Sequence, residues 1–98
     1  MEYERTPKVS VIAPIYGVEQ FIGKAAKSMM EQTLDDVEFI FVDDCTPDNS
    51  IKVLSEVISH YPERSSHVKV IKHDVNHGLP AARNTGLKVA KGEYIFHW

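Results

Sequence analysis

Apolar positions along the chain fall into two rhythms. Val9 to Ala13 reads VSVIA, a short β-branched run that predicts a buried strand ended by Pro14. Val37 to Val42 and Val68 to Lys72 (VKVIK) predict two further strands, and Glu93 to Trp98 begins a fourth. Between them the spacing turns helical. Phe21, Ile22, Ala25, Ala26, Met29 and Met30 form one stripe over about Val18 to Gln32, with Lys24, Lys27 and Glu31 on the other side. Ile51, Leu54, Val57, Ile58 and Tyr61 form a second stripe, which Pro62 stops. Thr46-Pro47-Asp48 predicts the start of that helix, with Thr46 as N-cap, Pro47 in the first turn and an acid near the positive helix end. Pro80 opens a third helix with Ala82, Gly86, Val89 and Ala90 as a small-residue face, and Gly92 ends it.

Strand and helix alternate from end to end. This predicts an α/β fold, a mostly parallel sheet with helices on both faces in three α/β/α layers. The 98 residues suffice for one domain with one modest core. No repeat, linker or low-complexity segment interrupts them. The last residues, Phe96-His97-Trp98, belong to an apolar strand, which leads us to expect a fragment of something longer with an exposed edge open to self-association.

Charge narrows the classes of partner. The net charge is −3 and the eleven Lys and Arg are scattered, so the chain lacks the basic footprint of a nucleic-acid binder or of an anionic membrane patch. The single cysteine, Cys45, cannot form an internal disulfide, in keeping with a reducing compartment. The N-terminal MEYERTPK has no apolar signal core, and no apolar run approaches the ~20 residues of a membrane span. A cytoplasmic soluble domain is the expectation.

Open parallel sheets bind ligands beyond the carboxyl ends of their strands. Three segments lie there: Pro14 to Gly17, Asp43 to Thr46 and His73 to Pro80. In the second, FIFVDDCTPDNS, an apolar run ends on two adjacent like charges, Asp43 and Asp44, of which at least one is expected to face solvent or a ligand. A carboxylate there can accept hydrogen bonds from a base or a ribose, or can simply cap a turn. Asp48 suits a cap, and Tyr16 can stack on a base or pack in its loop. Other motifs fail. There is neither a P-loop nor a G-x-G-x-x-G fingerprint. His73 and His77 flank a loop and lack the further ligands of a zinc site. Asp44, Thr46 and Asp48 only faintly imitate a calcium loop, with Asn49 at the glycine position and no closing Glu. Ser10, Ser28 and His60 form no local nucleophile signature.

Three blocks carry a more specific signal: VSVIAPIYG, then SMMEQTLDDVEFIFVDDCTPDNS, then NHGLPAARNTGLKVAKGEYIFHW. In this order and spacing they resemble the start of the family 2 glycosyltransferases, from about Val9 to Trp98. The resemblance implies the nucleotide-binding half of a GT-A fold that precedes a metal-binding D-x-D, expected just after Trp98. It implies transfer of a sugar from a nucleotide-diphospho-sugar, expected to be a UDP-sugar, to an acceptor hydroxyl with inversion. By match to the family, Tyr16 contacts the ring with Pro14 beside it, and Asp44 hydrogen-bonds the base. Asp43 shapes the turn, and Asn76, Gly78 and Arg83 border the nucleotide, with Arg83 paired either to a phosphate or to an internal acid. The implied cofactor is a divalent metal, Mg2+ or Mn2+, held outside this chain. The implied partners are the nucleotide-sugar donor and a saccharide or lipid-linked acceptor, in polysaccharide synthesis for cell wall or capsule at the cytoplasmic side, including the inner membrane face. The catalytic base is likewise expected beyond Trp98, so no catalytic residue is assigned here and the chain alone is expected to be inactive. Gly17 replaces the family's Asn, and Cys45-Thr46-Pro47 replaces its Gly-Ser-Thr.

Three other readings compete. A nucleotidyl- or sugar-nucleotide-processing protein would carry a glycine- and lysine-rich first loop, which is absent. A receiver-like signalling domain would place its acid pair after the first strand rather than the second. A non-catalytic nucleotide-binding or self-associating module, dimerising through its terminal strand, is compatible with the main reading.

Overall fold

The computed structural model describes residues 7–98. Four strands, β1 (Val9–Ile15), β2 (Val37–Asp43), β3 (Val68–Lys72) and β4 (Tyr94–His97), alternate with three helices, α1 (Glu19–Glu31), α2 (Ser50–Ser59) and α3 (Leu79–Val89). The strands are all parallel, in the order β3-β2-β1-β4.

The two strands at the centre are the most apolar. All seven residues of β2 are buried, as both faces of a covered parallel strand require. Phe39 and Phe41 point into the larger core with Val11, Ala13, Ile22, Met30 and Leu54, under α1 and α2. Ile40 and Val42 point the opposite way, against Ala82 of α3. Small residues let α3 lie close, and a Cβ built on Gly86 would stand 2.6 Å from the Ile12 side chain. Because α1 and α3 lie on opposite faces, the sheet reverses its winding between β1 and β4, the kind of switch point beside which open parallel sheets bind ligands at their carboxyl ends.

Several boundaries differ from the sequence reading. Pro14 does not end β1 but pairs with Val42 inside it. The Ile12 carbonyl accepts from the Trp98 amide, so Pro14, two residues on, turns its nitrogen toward the same side, past the last β1–β4 pair, Ile12 with His97. Its missing N–H costs no ladder bond. The N-cap expected at Thr46 is also displaced, since α2 starts at Ser50. Thr46 is occupied elsewhere, as described below. Past Tyr61 the chain makes an unforeseen 3-10 helix, Pro62–His67, where Arg64 is buried. Its guanidinium donates to the carbonyls of Met30, Gln32 and Leu34, satisfying the C-terminal end of α1.

Helix α3 ends at Val89, before Gly92. Gly92 instead passes under β1, where a Cβ would lie 2.6 Å from the Ser10 amide nitrogen. Its N–H donates to Ser10 Oγ at 2.8 Å, and Ser10 Oγ donates to Glu38 Oε2 at 2.5 Å. Glu38 also accepts from the Lys91 amide at 2.6 Å and faces Lys69 Nζ at 3.5 Å. Burial pushes its carboxyl up, but these donors outweigh it and hold Glu38 below its ordinary value. This buried network fixes the entry of β4 at the amino edge of the sheet, away from the carboxyl ends of the strands.

Candidate functional site

Strand β2 delivers both acids of the pair to the carboxyl edge, and the backbone then reverses through Cys45 at φ 58. The two carboxylates diverge. Asp43 Oδ1 accepts the Thr46 amide at 3.0 Å, closing the turn, while the Asp43 carbonyl accepts the His73 amide at 2.8 Å. Asp44 is fully buried. Its Oδ1 accepts from His73 Nδ1 at 2.9 Å and from the His77 amide at 2.9 Å. Its Oδ2 accepts from the Gly78 amide at 2.8 Å and from Asn76 Nδ2 at 3.1 Å. A carboxylate has about four lone-pair sites, and all four are engaged. Burial alone would raise the Asp44 carboxyl. The donors from His73, His77 and Gly78 prevail and keep it below the ordinary aspartate value.

This arrangement explains how the chain tolerates two adjacent acids. Each is neutralised by a different set of donors, and Asp44 binds the whole β3–α3 loop to the end of β2. Gly78 turns into α3 at φ 94, a left-handed conformation that favours glycine. The neighbouring loops are stitched in the same way. Thr46 Oγ1 accepts the Gly17 amide at 2.8 Å and donates to Asp48 Oδ1 at 2.7 Å. Asp48 Oδ1 also accepts from the amide and hydroxyl of Ser50, and its Oδ2 from the Glu19 amide. The Ser50 and Thr46 hydroxyls lower the Asp48 carboxyl to about 2. Gly17, in place of the asparagine of the sequence pattern, sits at φ 65 with open space around its Cβ position.

The candidate residues therefore separate. Asp44, Asn76 and Gly78 meet directly. Asp43 adjoins them and shapes the turn. Tyr16 stands on the next loop, 43% exposed. Pro14 is buried within β1. Arg83, on α3, has a buried Nε without a hydrogen-bond partner, and no acid pairs with it among the described residues. Asp44 differs most from its sequence reading. The resemblance has it hydrogen-bond the base, and here its lone-pair sites are engaged by His73, Asn76, His77 and Gly78. The sequence reading did not foresee the roles of His73, Thr85 and Thr46, which arise only when separate elements meet. Only the placement of His73 directly after a strand hinted at the first. A groove of about 520 Å³ lies elsewhere, between α1 and β4, lined by apolar residues including Met29, Leu34, Phe96 and Trp98. It lacks the polar convergence of the strand ends, so we place the site at the latter.

The parallel sheet with helices on both faces is that of a GT-A fold, as its structural neighbours show. The mannosyltransferase PcManGT from Pyrobaculum calidifontis, in complex with GDP-Man and Mn2+, superposes with a TM-score of 0.81 at 25% identity, over 93% of this chain and 26% of its own. S. aureus TarS 1-349 in complex with UDP-GlcNAc does so with a TM-score of 0.74 at 28% identity, over 92% of this chain and 25% of its own. The model of the family described as Glycosyl transferase family 2 matches residues 10–97, and the chain belongs to that family. Among curated relatives, the Uncharacterized glycosyltransferase EpsJ of Bacillus subtilis (strain 168) is 47% identical over 89 residues, 91% of this chain and 24% of EpsJ. The Poly(ribitol-phosphate) beta-glucosyltransferase of Bacillus spizizenii is 40% identical over 91 residues, 90% of this chain and 14% of that protein. The chain thus spans about a quarter or less of these relatives.

Proposed function

We propose that the chain is the N-terminal, donor-binding part of an inverting glycosyltransferase that takes its sugar from a nucleotide-diphospho-sugar, with UDP as the nucleotide. The observation that carries this reading is the convergence of three family motifs on one sheet edge. Tyr16 lies exposed there, the loop holding Asn76 and Gly78 is locked onto Asp44, and Arg83 Nε has no partner among the described residues. In this reading Tyr16 stacks on the base and Arg83 meets the diphosphate near the first turn of α3, where no side chain caps the helix. Asp44 acts on the nucleotide through the loop it holds. A direct bond to the base requires it to release one of its present donors. Pro14 supports the loop from inside the strand. The choice of UDP is supported by the TarS complex with UDP-GlcNAc, against GDP-Man in PcManGT.

The Mn2+ of PcManGT supports a divalent ion for the intact enzyme, where it would offset charge on the leaving diphosphate. Among the described residues no three His, Cys, Asp or Glu come together to hold one, and no step through a metal is assigned to this chain. The acceptor, a saccharide or a lipid-linked glycan of cell wall or capsule, is supported by the Bacillus relatives, which include a teichoic acid biosynthesis protein. No described helix is long and apolar enough to cross a membrane. A cytoplasmic position, at the inner membrane face in the intact protein, agrees with that chemistry. Self-association is a second reading, favoured by β4, where Tyr94 and Phe96 are exposed.

Calorimetric titration of the chain with UDP and GDP, with and without Mn2+, tests the proposal. UDP is expected to bind with little dependence on metal, and Tyr16→Ala to weaken it. No heat of binding with either nucleotide, from a chain shown to be folded, would contradict it.

A further inference from the structure

The His73 ring joins three elements. Nδ1 meets Asp44 Oδ1 at 2.9 Å at the end of β2, and Nε2 meets Thr85 Oγ1 at 2.8 Å in α3. It packs against the His77 ring in a T-shaped arrangement, with centroids 5.1 Å apart and planes at 86°. A carboxylate only accepts, so Nδ1 carries the proton and donates. The bridge is nearly buried, with 12% of the His73 side chain exposed and none of Asp44. The His77 and Gly78 amides and Asn76 Nδ2 fix Asp44 to the loop itself. The His73–Thr85 contact carries that constraint into the body of α3, two residues past Arg83.

We propose that His73 is a positioning residue for donor binding. It ties the Asp44 carboxylate to Thr85, so that the His77–Gly78 turn and the α3 segment bearing Arg83 keep one placement over the strand ends. This assignment rests on the donor-site reading above. Without the bridge, Asp44 still holds the His77 and Gly78 amides, but α3 and the loop no longer move as one. The cost falls on ligand binding, because only the fraction of molecules with the loop in place is competent.

Two substitutions cut the bridge at its Thr85 end from either side. In His73→Asn the side-chain amide takes the place of Nδ1 and keeps the bond to Asp44, but cannot reach Thr85. Thr85→Val removes the hydroxyl with little change of shape. Amide hydrogen exchange at His77 and Gly78 in the free chain reports on the loop, and UDP titration of the same folded samples reports on the site. Both variants are expected to speed exchange and to weaken UDP by about tenfold. The double variant should be no weaker than either single one, since each breaks the same bridge. A structural role alone would lower the unfolding midpoint and leave UDP affinity of the folded chain intact. Unchanged affinity in both variants, or losses that add in the double variant, would overturn the assignment of His73 while leaving the donor site standing. A wild-type chain that binds no UDP overturns the donor-site reading, and the role of His73 with it, whatever the exchange rates show.

Discussion

Asp44 and Gly78 lie 34 positions apart in sequence and meet at 2.8 Å, the amide of one donating to the carboxylate of the other. With the bonds from His73, Asn76 and His77, this contact makes a buried charge the organiser of the site. Replacing Asp44 by Asn turns an amino group toward donors and leaves buried N–H groups unpaired. We expect a loss of about 3 kcal/mol in unfolding free energy by urea titration. A change below about 0.5 kcal/mol would mean that the loop holds itself, since ordinary surface substitutions stay within that range.

Acid should loosen the same edge. Asp44 and Asp48 both have carboxyls lowered in the folded chain. A lowered folded value means that the unfolded chain binds protons first as pH falls. Their contribution is therefore complete above the ordinary aspartate value and lost below it. For Asp48 the window runs from 3.8 down to about 2. Urea midpoints should stay level with respect to these groups above pH 5 and fall between about pH 4 and pH 2. Asp48→Asn should flatten that decline, and an equally steep decline in the variant would exclude Asp48 as a contributor.

Gly92→Ala probes the opposite edge. The added methyl would meet the Ser10 backbone nitrogen at 2.6 Å, and backbone in a central strand cannot yield as a flexible side chain could. Thermal unfolding is expected to show destabilisation of about 1–3 kcal/mol, the usual cost of overpacking. An unshifted melting temperature would show that β4 docks without the close approach of Gly92.

The strands and helices were legible because each has a clean period and the central strands are apolar on both faces. Pro14 was misread as a strand end because a sequence does not say which side of a strand lacks a partner. Thr46 was misread as an N-cap because its residue type fits that role, whereas its hydroxyl is claimed by Gly17 in a loop far off in sequence. The candidate edge could be found from strand ends and family motifs. The work done by Asp44 could not, because its four donors come from a loop about thirty residues later, and only the folded chain shows that they leave no lone pair free.

Tyr16 lies outside this network, with 43% of its surface exposed. Tyr16→Ala should leave the urea midpoint in place and weaken UDP about tenfold, at the low end of what base–aromatic stacking contributes. Calorimetry and unfolding on the same sample separate the two effects. A variant with unchanged affinity would remove Tyr16 from the site.

The central claim is that a nucleotide binds at the carboxyl edge of this sheet. Amide chemical-shift mapping during a titration with UDP tests it most directly. The account predicts saturable shifts in Tyr16 and Gly17, in Asp43 to Thr46, and in Asn76 to Arg83, with β4 and the α1 groove unmoved. Shifts centred on Met29, Phe96 and Trp98, or no shifts in a chain with a well-dispersed spectrum, would contradict it.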